Sequence, residues 1–205
     1  TVGLGGRVAG ALGRSRELTL VLLMVVMVAF VTINAPHFLS PSNLIQVTSL
    51  AAIIAIAAVG QAMVVMTKNI DLSVESVIGF TAFLVGDLLR SGMPVPGAWL
   101  VGIGAALALG MLNGALVTVF RIPSIVVTLG TLSIYRGLVF VIAGGTQVNL
   151  VDLPPGYSDP ASQSVAGLPV FVWIAVAITA LVAVLLYKTR FGRQVYAVGS
   201  NAEAA

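Results

Sequence analysis

Six apolar runs, each almost free of charged residues, dominate the sequence and predict helices that cross a membrane. A spanning helix needs about 20 apolar residues to cross roughly 30 Å of hydrocarbon. We therefore predict an all-α, polytopic transmembrane helix bundle of about six spans. The predicted spans are residues 18–35, 44–66, 74–89, 97–120, 124–143 and 168–187.

Two of these runs are less regular than the others. The first follows a basic segment, as a signal-peptide core does, but it exceeds the ~7–15 apolar residues of such a core, so we interpret it as a retained helix. The third is short and carries Glu75 and Asp87 at its two ends. The sequence leaves open whether this third run is tilted, broken or only partly inserted.

The composition agrees with a membrane protein. Of 205 residues, 59% are hydrophobic and 8% are charged, against about 25% charged in a soluble domain. This excludes a soluble enzyme, and the number of runs excludes a single-span anchor. The sequence has no cysteine, so disulfides and cysteine-based catalytic or metal sites are excluded. A net charge of +3 does not indicate nucleic-acid binding.

The basic residues predict the orientation of the bundle. If the N-terminus is cytoplasmic, Arg90 alone lies outside and Arg136 falls within a span. Such a bias follows the positive-inside rule, so we predict a cytoplasmic N-terminus and a cytoplasmic segment at residues 188–205. The basic residues that this arrangement places inside are Arg7, Arg14, Arg16, Lys68, Arg121, Lys188, Arg190 and Arg193.

The sequence offers little for catalysis. The only histidine, His37, lies beside Pro36 in a predicted loop, and no Gly-x-Ser-x-Gly or His-Glu-x-x-His motif is present. We expect this chain not to be an enzyme and to hold no cofactor or metal. It also lacks a phosphate-binding loop, so ATP would have to be used by another polypeptide.

The polar stretch at residues 67–76, TKNIDLSVES, lies between the second and third runs. Asp71 and Ser73 are good helix N-caps, and Glu75 would lie in the first turn, where the helix dipole favours an anion. Two interpretations remain open. The stretch is either a capped helix start at the cytoplasmic interface or a pivot or gate beside a solute path.

Arg136 lies about 18 Å into the fifth run at 1.5 Å per residue. A guanidinium at that depth is costly unless it snorkels to an interface, faces a polar solute or contacts another helix. Asn113 and Thr128 could line a solute path, and like Thr131 and Ser133 they could equally serve hydrogen bonds between helices. Glycines in the fourth run suit close helix packing: Gly102, Gly104, Gly110 and Gly114.

The segment at residues 188–205 has three basic residues among its first six, and these suit the lipid headgroups. Gly192 and Gly199 bracket a semi-apolar piece that contains Tyr196, and Asn201 could cap a small helix. We predict a short amphipathic helix outside the membrane that docks a soluble partner. The alternative is a disordered tail.

Three stretches of the sequence resemble one family. Residues 60–76 (GQAMVVMTKNIDLSVES), 113–137 (NGALVTVFRIPSIVVTLGTLSIYRG) and 189–205 (TRFGRQVYAVGSNAEAA) are similar to permease subunits of bacterial ABC importers for monosaccharides. That group includes the ribose, xylose, rhamnose and autoinducer-2 systems. The motifs are ordered and, with the matching hydropathy, cover nearly the whole chain.

This resemblance implies the partners and location of the protein. Such permeases have about ten transmembrane helices, lie in the bacterial inner membrane, pair as homo- or heterodimers and take solute from a periplasmic binding protein. A cytoplasmic ATPase contacts the loop after the sixth helix, which corresponds to residues 192–205. We therefore expect residues 1–205 to be one permease domain that is incomplete at its C-terminus, and a piece of a longer protein.

The resemblance also assigns residues. We expect the signature Ile70, Asp71, Leu72 and Ser73 to be structural, and the ATPase to dock at Gly192, Arg193, Tyr196, Gly199, Asn201 and Glu203. The sequence departs from the family at Lys68-Asn69, where Gly-Gly is common, and at Glu75, where Gly is usual. Because Asn tolerates a left-handed backbone, we expect the turn to survive. Glu75 puts close helix packing at that point in doubt.

The sequence therefore predicts the permease of an ATP-driven importer for a monosaccharide or a similar polyol. The first alternative is an ion-coupled secondary transporter, which would normally carry acidic residues in mid-span, whereas Asp71, Glu75 and Asp87 lie near span ends. The second alternative is a membrane scaffold that does not transport.

Overall fold

All six apolar runs form helices in a computed structural model that describes residues 16–155, 157 and 163–200. A two-stranded antiparallel hairpin, β1 (Ser164–Val165) and β2 (Leu168–Pro169), precedes the sixth helix. The prediction of an all-α membrane bundle is confirmed. The helices are α1 (Arg16–Asn34), α2 (Pro41–Met66), α3 (Val74–Arg90), α4 (Val95–Thr118), α5 (Ser124–Ala143), α6 (Val170–Lys188) and the short α7 (Arg190–Ser200).

The predicted count of six spans is too high. Among the described residues, four helices are long and apolar enough to cross a membrane, namely α2, α4, α5 and α6. The apolar part of α1 is limited to Leu18–Asn34, and α3 has only 17 residues. At 1.5 Å per residue, a 17-residue helix is about 26 Å long, which is short of roughly 30 Å of hydrocarbon.

Contacts divide the chain into two units at Leu50. In the first unit, residues 18–30 of α1 are exposed on every side of the helix. Such an all-round apolar surface suits a helix that contacts lipid. The turn after α1 is tied to the start of α2, because the Asn43 side-chain amide donates to the Phe38 carbonyl at 2.7 Å.

The second unit is organised around α3, which packs on both α4 and α5. Helix α3 runs antiparallel to α4, since Ser73 bonds Asn113 at one end and Val85 lies against Gly102 at the other. It runs parallel to α5, where the Ser76 hydroxyl donates to the Leu132 carbonyl at 2.9 Å. Despite its length, α3 is therefore the central helix of this group.

The buried interior of the second unit is small and contains several polar residues beside apolar ones. Ser73, Ser76, Asn113, Thr128 and Thr131 are all buried, whereas most large aliphatic side chains are exposed. In water this distribution would be unstable. In a bilayer it is expected, because lipid solvates the outer face and helices associate through close packing and hydrogen bonds.

The end of α2 positions the signature stretch. Asn69 N–H donates to the Val64 carbonyl at 3.2 Å and Lys68 N–H donates to the Val65 carbonyl at 2.9 Å. These are the two bonds of a Schellman motif, which normally places glycine at its left-handed residue. Here Lys68 takes that conformation, with φ of 60°. The turn survives as predicted, but the left-handed residue is Lys68 and not Asn69.

The C-terminal segment is mostly helical. After the single residue Thr189, α7 extends from Arg190 to Ser200, with Gly192 and Val195 buried. An amphipathic helix is thus present before Asn201, and the small helix predicted to follow an Asn201 cap lies outside the described residues. Asn201 and Glu203 lie outside the described residues.

Candidate functional site at a polar cavity

A cavity of about 220 Å³ lies where the end of α2, the signature stretch, α4 and α5 meet. It brings together four residues predicted separately from the sequence, Ile70 and Asp71 of the signature with Asn113 and Thr128. Leu72 and Ser73 do not line the cavity. The lining residues are Val64, Thr67, Asn69, Ile70, Asp71, Gly110, Asn113, Gly114, Val117, Thr118, Ser124 and Thr128.

Side chains from α2 and α5 hold the main chain of the signature stretch. The Ser124 hydroxyl accepts from Ile70 N–H at 3.2 Å, and the Thr128 hydroxyl lies 3.3 Å from the Ile70 carbonyl. The Gln61 amide donates to the Asp71 carbonyl at 2.6 Å. These bonds satisfy main-chain groups that a helix would otherwise pair, which an apolar surrounding requires. Gln61 was missed in the sequence, although an amide in an apolar run is a usable signal.

Asp71 and Ser73 do not cap α3 as predicted. Ser73 occupies the N-cap position, but its side chain makes no capping bond. Instead one carboxylate oxygen of Asp71 accepts from Ser73 N–H at 2.8 Å and from the Ser73 hydroxyl at 2.7 Å. An Asp side chain that bonds the main chain two residues later forms an Asx turn, so the local bond replaces the helix cap.

A chain of buried hydrogen bonds crosses α3, α4 and α5 and ends at Asp71. The Tyr135 hydroxyl lies 3.0 Å from the Asn113 side-chain oxygen, and the Asn113 amide donates to the Ser73 hydroxyl at 2.7 Å. Because the Ser73 proton goes to Asp71, the Asn113 amide and the Ser73 hydroxyl both donate in the direction of the carboxylate. Tyr135 is 2% exposed and Ser73 is 0% exposed.

Tyr135 also lies 3.1 Å from the Leu109 carbonyl, so its hydroxyl has two acceptors on α4. It was not among the predicted site residues. A phenol in the middle of an apolar span is a signal that could have identified it, because a hydroxyl buried away from water needs a partner. The sequence could not show which partner Tyr135 would find.

The cavity keeps unused hydrogen-bonding capacity. Among the described residues, Asp71 is the only charged one in the lining. Toward the described residues, the second carboxylate oxygen of Asp71, the second amide hydrogen of Asn113 and the Ser124 hydroxyl hydrogen make no bond. The lining therefore offers both donors and acceptors, without a basic group, to a small polar solute.

The glycines of α4 have two different roles. A Cβ on Gly102 would collide with Val85, which agrees with the predicted close packing. At Gly110 and Gly114 a Cβ would have nothing within 4 Å, and both residues line the cavity. The packing role predicted for these two positions is therefore wrong within the described structure, because they widen the cavity.

Several predicted polar contacts are not made. Arg136 is exposed and forms no hydrogen bond or ion pair with the described residues. Thr131 and Ser133 bond carbonyls of their own helix, at 3.4 Å each, instead of another helix. Glu75 is exposed in the first turn of α3, so its carboxylate lies outside the helix packing that it was expected to disturb.

The predicted docking residues of α7 divide into buried and exposed positions. Gly192 is buried, and a Cβ there would collide with the main chain of Leu186. Arg193 is exposed, as is Tyr196, whose ring centre lies 6.4 Å from that of Tyr187. The pKa of Tyr196 is raised, mainly by a hydrogen bond with Tyr187 and to a smaller extent by desolvation.

Comparison with known proteins gives a family match and curated relatives. The family model described as "Branched-chain amino acid transport system / permease component" matches residues 43–205. The autoinducer 2 import system permease protein LsrC of Salmonella typhi is 37% identical over 191 residues. The proteins of the same name from Shigella flexneri and Escherichia coli (strain K12 / DH10B) are 37% and 36% identical.

These alignments cover 93% of this chain but 54 to 55% of each relative. The chain thus spans about half the length of the curated relatives it matches. No solved structure shows a significant match to the chain.

Proposed function

The chain belongs to the permease-component family of branched-chain amino acid transport systems, and on this premise we propose that it lines the solute path of an ATP-driven importer. The observation that carries the proposal is the cavity in which a signature carboxylate, Asp71, meets polar groups of α4 and α5. The chain supplies the walls of the path. ATP hydrolysis belongs to a separate subunit, and this chain is not an enzyme.

The proposed solute is a monosaccharide or a similar small polyol. The family description names branched-chain amino acids, whereas the relatives are named for autoinducer 2. An amino acid carries a carboxylate that needs a cation or several converging donors. The cavity lining has no basic side chain and does carry Asp71, which favours a neutral solute with hydroxyl groups.

The proposed partners depend on which end of the second unit faces the cytoplasm. We propose that a cytoplasmic ABC ATPase docks on α7, that a second permease subunit completes the path, and that a periplasmic binding protein delivers the solute. Two basic residues, Lys68 and Arg121, lie in the turns after α2 and α4, and two more, Arg190 and Arg193, lie in α7. Lys68 bonds Ser200 of α7, so these basic residues mark one end of the second unit. By the positive-inside rule this end faces the cytoplasm of a bacterial inner membrane. The cytoplasmic N-terminus stays a prediction.

An ion-coupled secondary transporter is the alternative that a carboxylate in the cavity favours, although Asp71 precedes α3 and does not lie in mid-span. Carboxylates in polar cavities at membrane depth serve proton or sodium coupling in such proteins. Here Asp71 lines the cavity beside the carbonyl-rich signature stretch. This alternative and the ATP-driven importer differ in their energy source, which can be measured.

The test is uptake of labelled monosaccharides in cells that produce the full-length protein. We expect uptake to stop when the partner ATPase gene is deleted and to persist when a protonophore and a sodium ionophore collapse the ion gradients. The reverse pattern would establish the secondary transporter. Loss under neither treatment would contradict both functions.

Filling the cavity should block the path without harming the fold. We expect Gly110→Leu to reduce uptake by roughly tenfold, the scale on which a poor fit discriminates solutes, because the new side chain enters the cavity. Gly104→Leu is the matched control, since Gly104 lies on the same helix with nothing within 4 Å and outside the cavity. Equal uptake by the two variants would remove the cavity from the solute path.

A further inference from the structure

The C-terminus of α7 contacts the turn after α2, although the two are far apart in sequence. The Lys68 ammonium donates to the Ser200 carbonyl at 3.3 Å. One residue earlier, a Cβ on Gly199 would collide with the main-chain oxygen of Met66. We call this pair of interactions, Lys68 with Ser200 and Gly199 with Met66, the α7 contact.

The chemistry of the α7 contact suits both partners. Ser200 is the last residue of α7 that the structure describes, and its carbonyl accepts from the Lys68 ammonium. A cation near the C-terminal end of a helix interacts favourably with the helix dipole. Gly199 allows the two main chains to approach because it has no side chain.

Lys68 has a conformation that is costly for its residue type. Its φ of 60° lies in the left-handed region, where glycine is the preferred residue of a Schellman motif. A glycine there would fit the turn better, but it could not reach Ser200. The side chain of Lys68 therefore supplies a bond to α7 that the turn itself does not require.

The turn that carries Lys68 is also the rim of the cavity. Thr67 and Asn69, on either side of Lys68, line the cavity together with Ile70 and Asp71. Ile70 in turn is held by Ser124 of α5. A displacement of the C-terminus of α7 would therefore move residues that shape the cavity.

We propose that Lys68 couples α7 to the cavity directly: when a partner protein displaces α7, the α7 contact pulls the α2–α3 turn and changes the opening of the cavity at that end. The inference rests on the proposed function in taking α7 as the docking element for the ATPase. It adds the route by which motion of α7 reaches the solute site, through the turn after α2. The inference requires that the turn itself adopts two arrangements.

The chain offers a matched pair of variants for the test. Lys68 and Arg121 are both exposed basic residues in left-handed conformations, with φ of 60° and 54°. Changing either to glycine removes one charge and relieves the same backbone cost. Of these two residues, only Lys68 bonds the described part of α7. Comparing Lys68→Gly with Arg121→Gly therefore isolates the α7 contact.

The measurement is solute uptake per ATP hydrolysed, in proteoliposomes that contain the full-length permease, its ATPase and its binding protein. We expect Lys68→Gly to lower this ratio about fivefold or more, Arg121→Gly to leave it within about twofold, and Lys68→Arg to restore most of it. Thermal unfolding should show that Lys68→Gly is no less stable than Arg121→Gly. Equal ratios for the two glycine variants would overturn the inference.

Failure of the inference is distinguishable from failure of the proposed function. A wild-type complex without ATP-driven polyol uptake would refute the proposed function. A wild-type complex that transports, with Lys68→Gly matching Arg121→Gly, would refute only the role of Lys68.

A second measurement does not depend on a loss of activity. The chain has no cysteine, so Lys68→Cys and Ser200→Cys can be introduced together and joined by a short, reducible thiol crosslinker in a full-length complex whose other cysteines have been replaced. We expect the link to form without nucleotide and to raise uptake per ATP hydrolysed above that of the unlinked double variant, because the link replaces the bond that transmits the motion of α7, and we expect reduction to reverse this gain. A link that stops uptake would overturn the inference. No link in either the nucleotide-free or the ATP-bound complex would show that the α7 contact does not form.

Discussion

Replacing Asn113 by Asp should destabilise the protein by about 3 kcal/mol, the scale of an uncompensated buried charge. The Ser73 hydroxyl lies 2.7 Å from both the Asn113 amide nitrogen and an Asp71 carboxylate oxygen. It has one proton and cannot donate to two carboxylates. A carboxylate at position 113 would therefore lie against the Ser73 oxygen with no hydrogen between the two oxygens. It would also lie close to the Asp71 carboxylate.

The measurement is thermal unfolding of the full-length protein in detergent, with uptake as a second readout. Asn113→Leu should cost less, about 1–2 kcal/mol, because Ser73 and Tyr135 keep Asp71 and Leu109 as acceptors and hydrogen bonds between membrane helices are worth roughly 0.6 kcal/mol each. Asn34→Asp, at an exposed position of α1, is the control and should change stability by a few tenths of a kcal/mol. If Asp and Leu at position 113 cost the same, Ser73 does not donate its proton to Asp71 as described.

Replacing Gly192 by Ala should reduce uptake per ATP hydrolysed by roughly tenfold or more. A Cβ at this position would collide with the main-chain carbonyl of Leu186, and main-chain atoms cannot rotate away as a side chain can. Helix α7 would have to leave its place against the end of α6, and with it the surface proposed for the ATPase.

The control for this variant is Gly104→Ala, which adds the same methyl group inside a helix where nothing lies within 4 Å. It should leave uptake unchanged and raise stability by up to about 1 kcal/mol, because alanine favours the helix over glycine. Both variants are measured in the reconstituted complex. Full coupling in Gly192→Ala would remove α7 from the proposed docking surface.

The helices themselves could be predicted from the sequence because hydropathy is a local property. The boundaries of the six runs agree with α1 to α6 within a few residues, since each run is closed by proline, glycine or charged residues. The count of spans was less secure. Whether α3 crosses lipid depends on its 17-residue length and on its neighbours α4 and α5, and the sequence contains no direct record of those neighbours.

The site was predicted only in part. Ile70 and Asp71 were predicted as part of the signature, and Asn113 and Thr128 as polar residues within spans, and all four line one cavity. Tyr135 and Gln61 were missed, and Arg136 was included although it lies on the exposed side of α5. The cause is the same in each case. A polar residue in an apolar run must find a partner or water, but the run alone does not show which face turns inward.

By itself, the sequence determined that this protein is a helical membrane protein, where its helices lie and which motifs relate it to importer permeases, because these depend on composition and on short contiguous segments. Only the tertiary structure decided that Gly110 and Gly114 line a cavity, that Tyr135 reaches Asp71 through Asn113 and Ser73, and that Lys68 holds the end of α7. These are contacts between helix faces and between residues far apart in the chain. They depend on how the helices rotate and approach one another, which hydropathy along one chain does not specify.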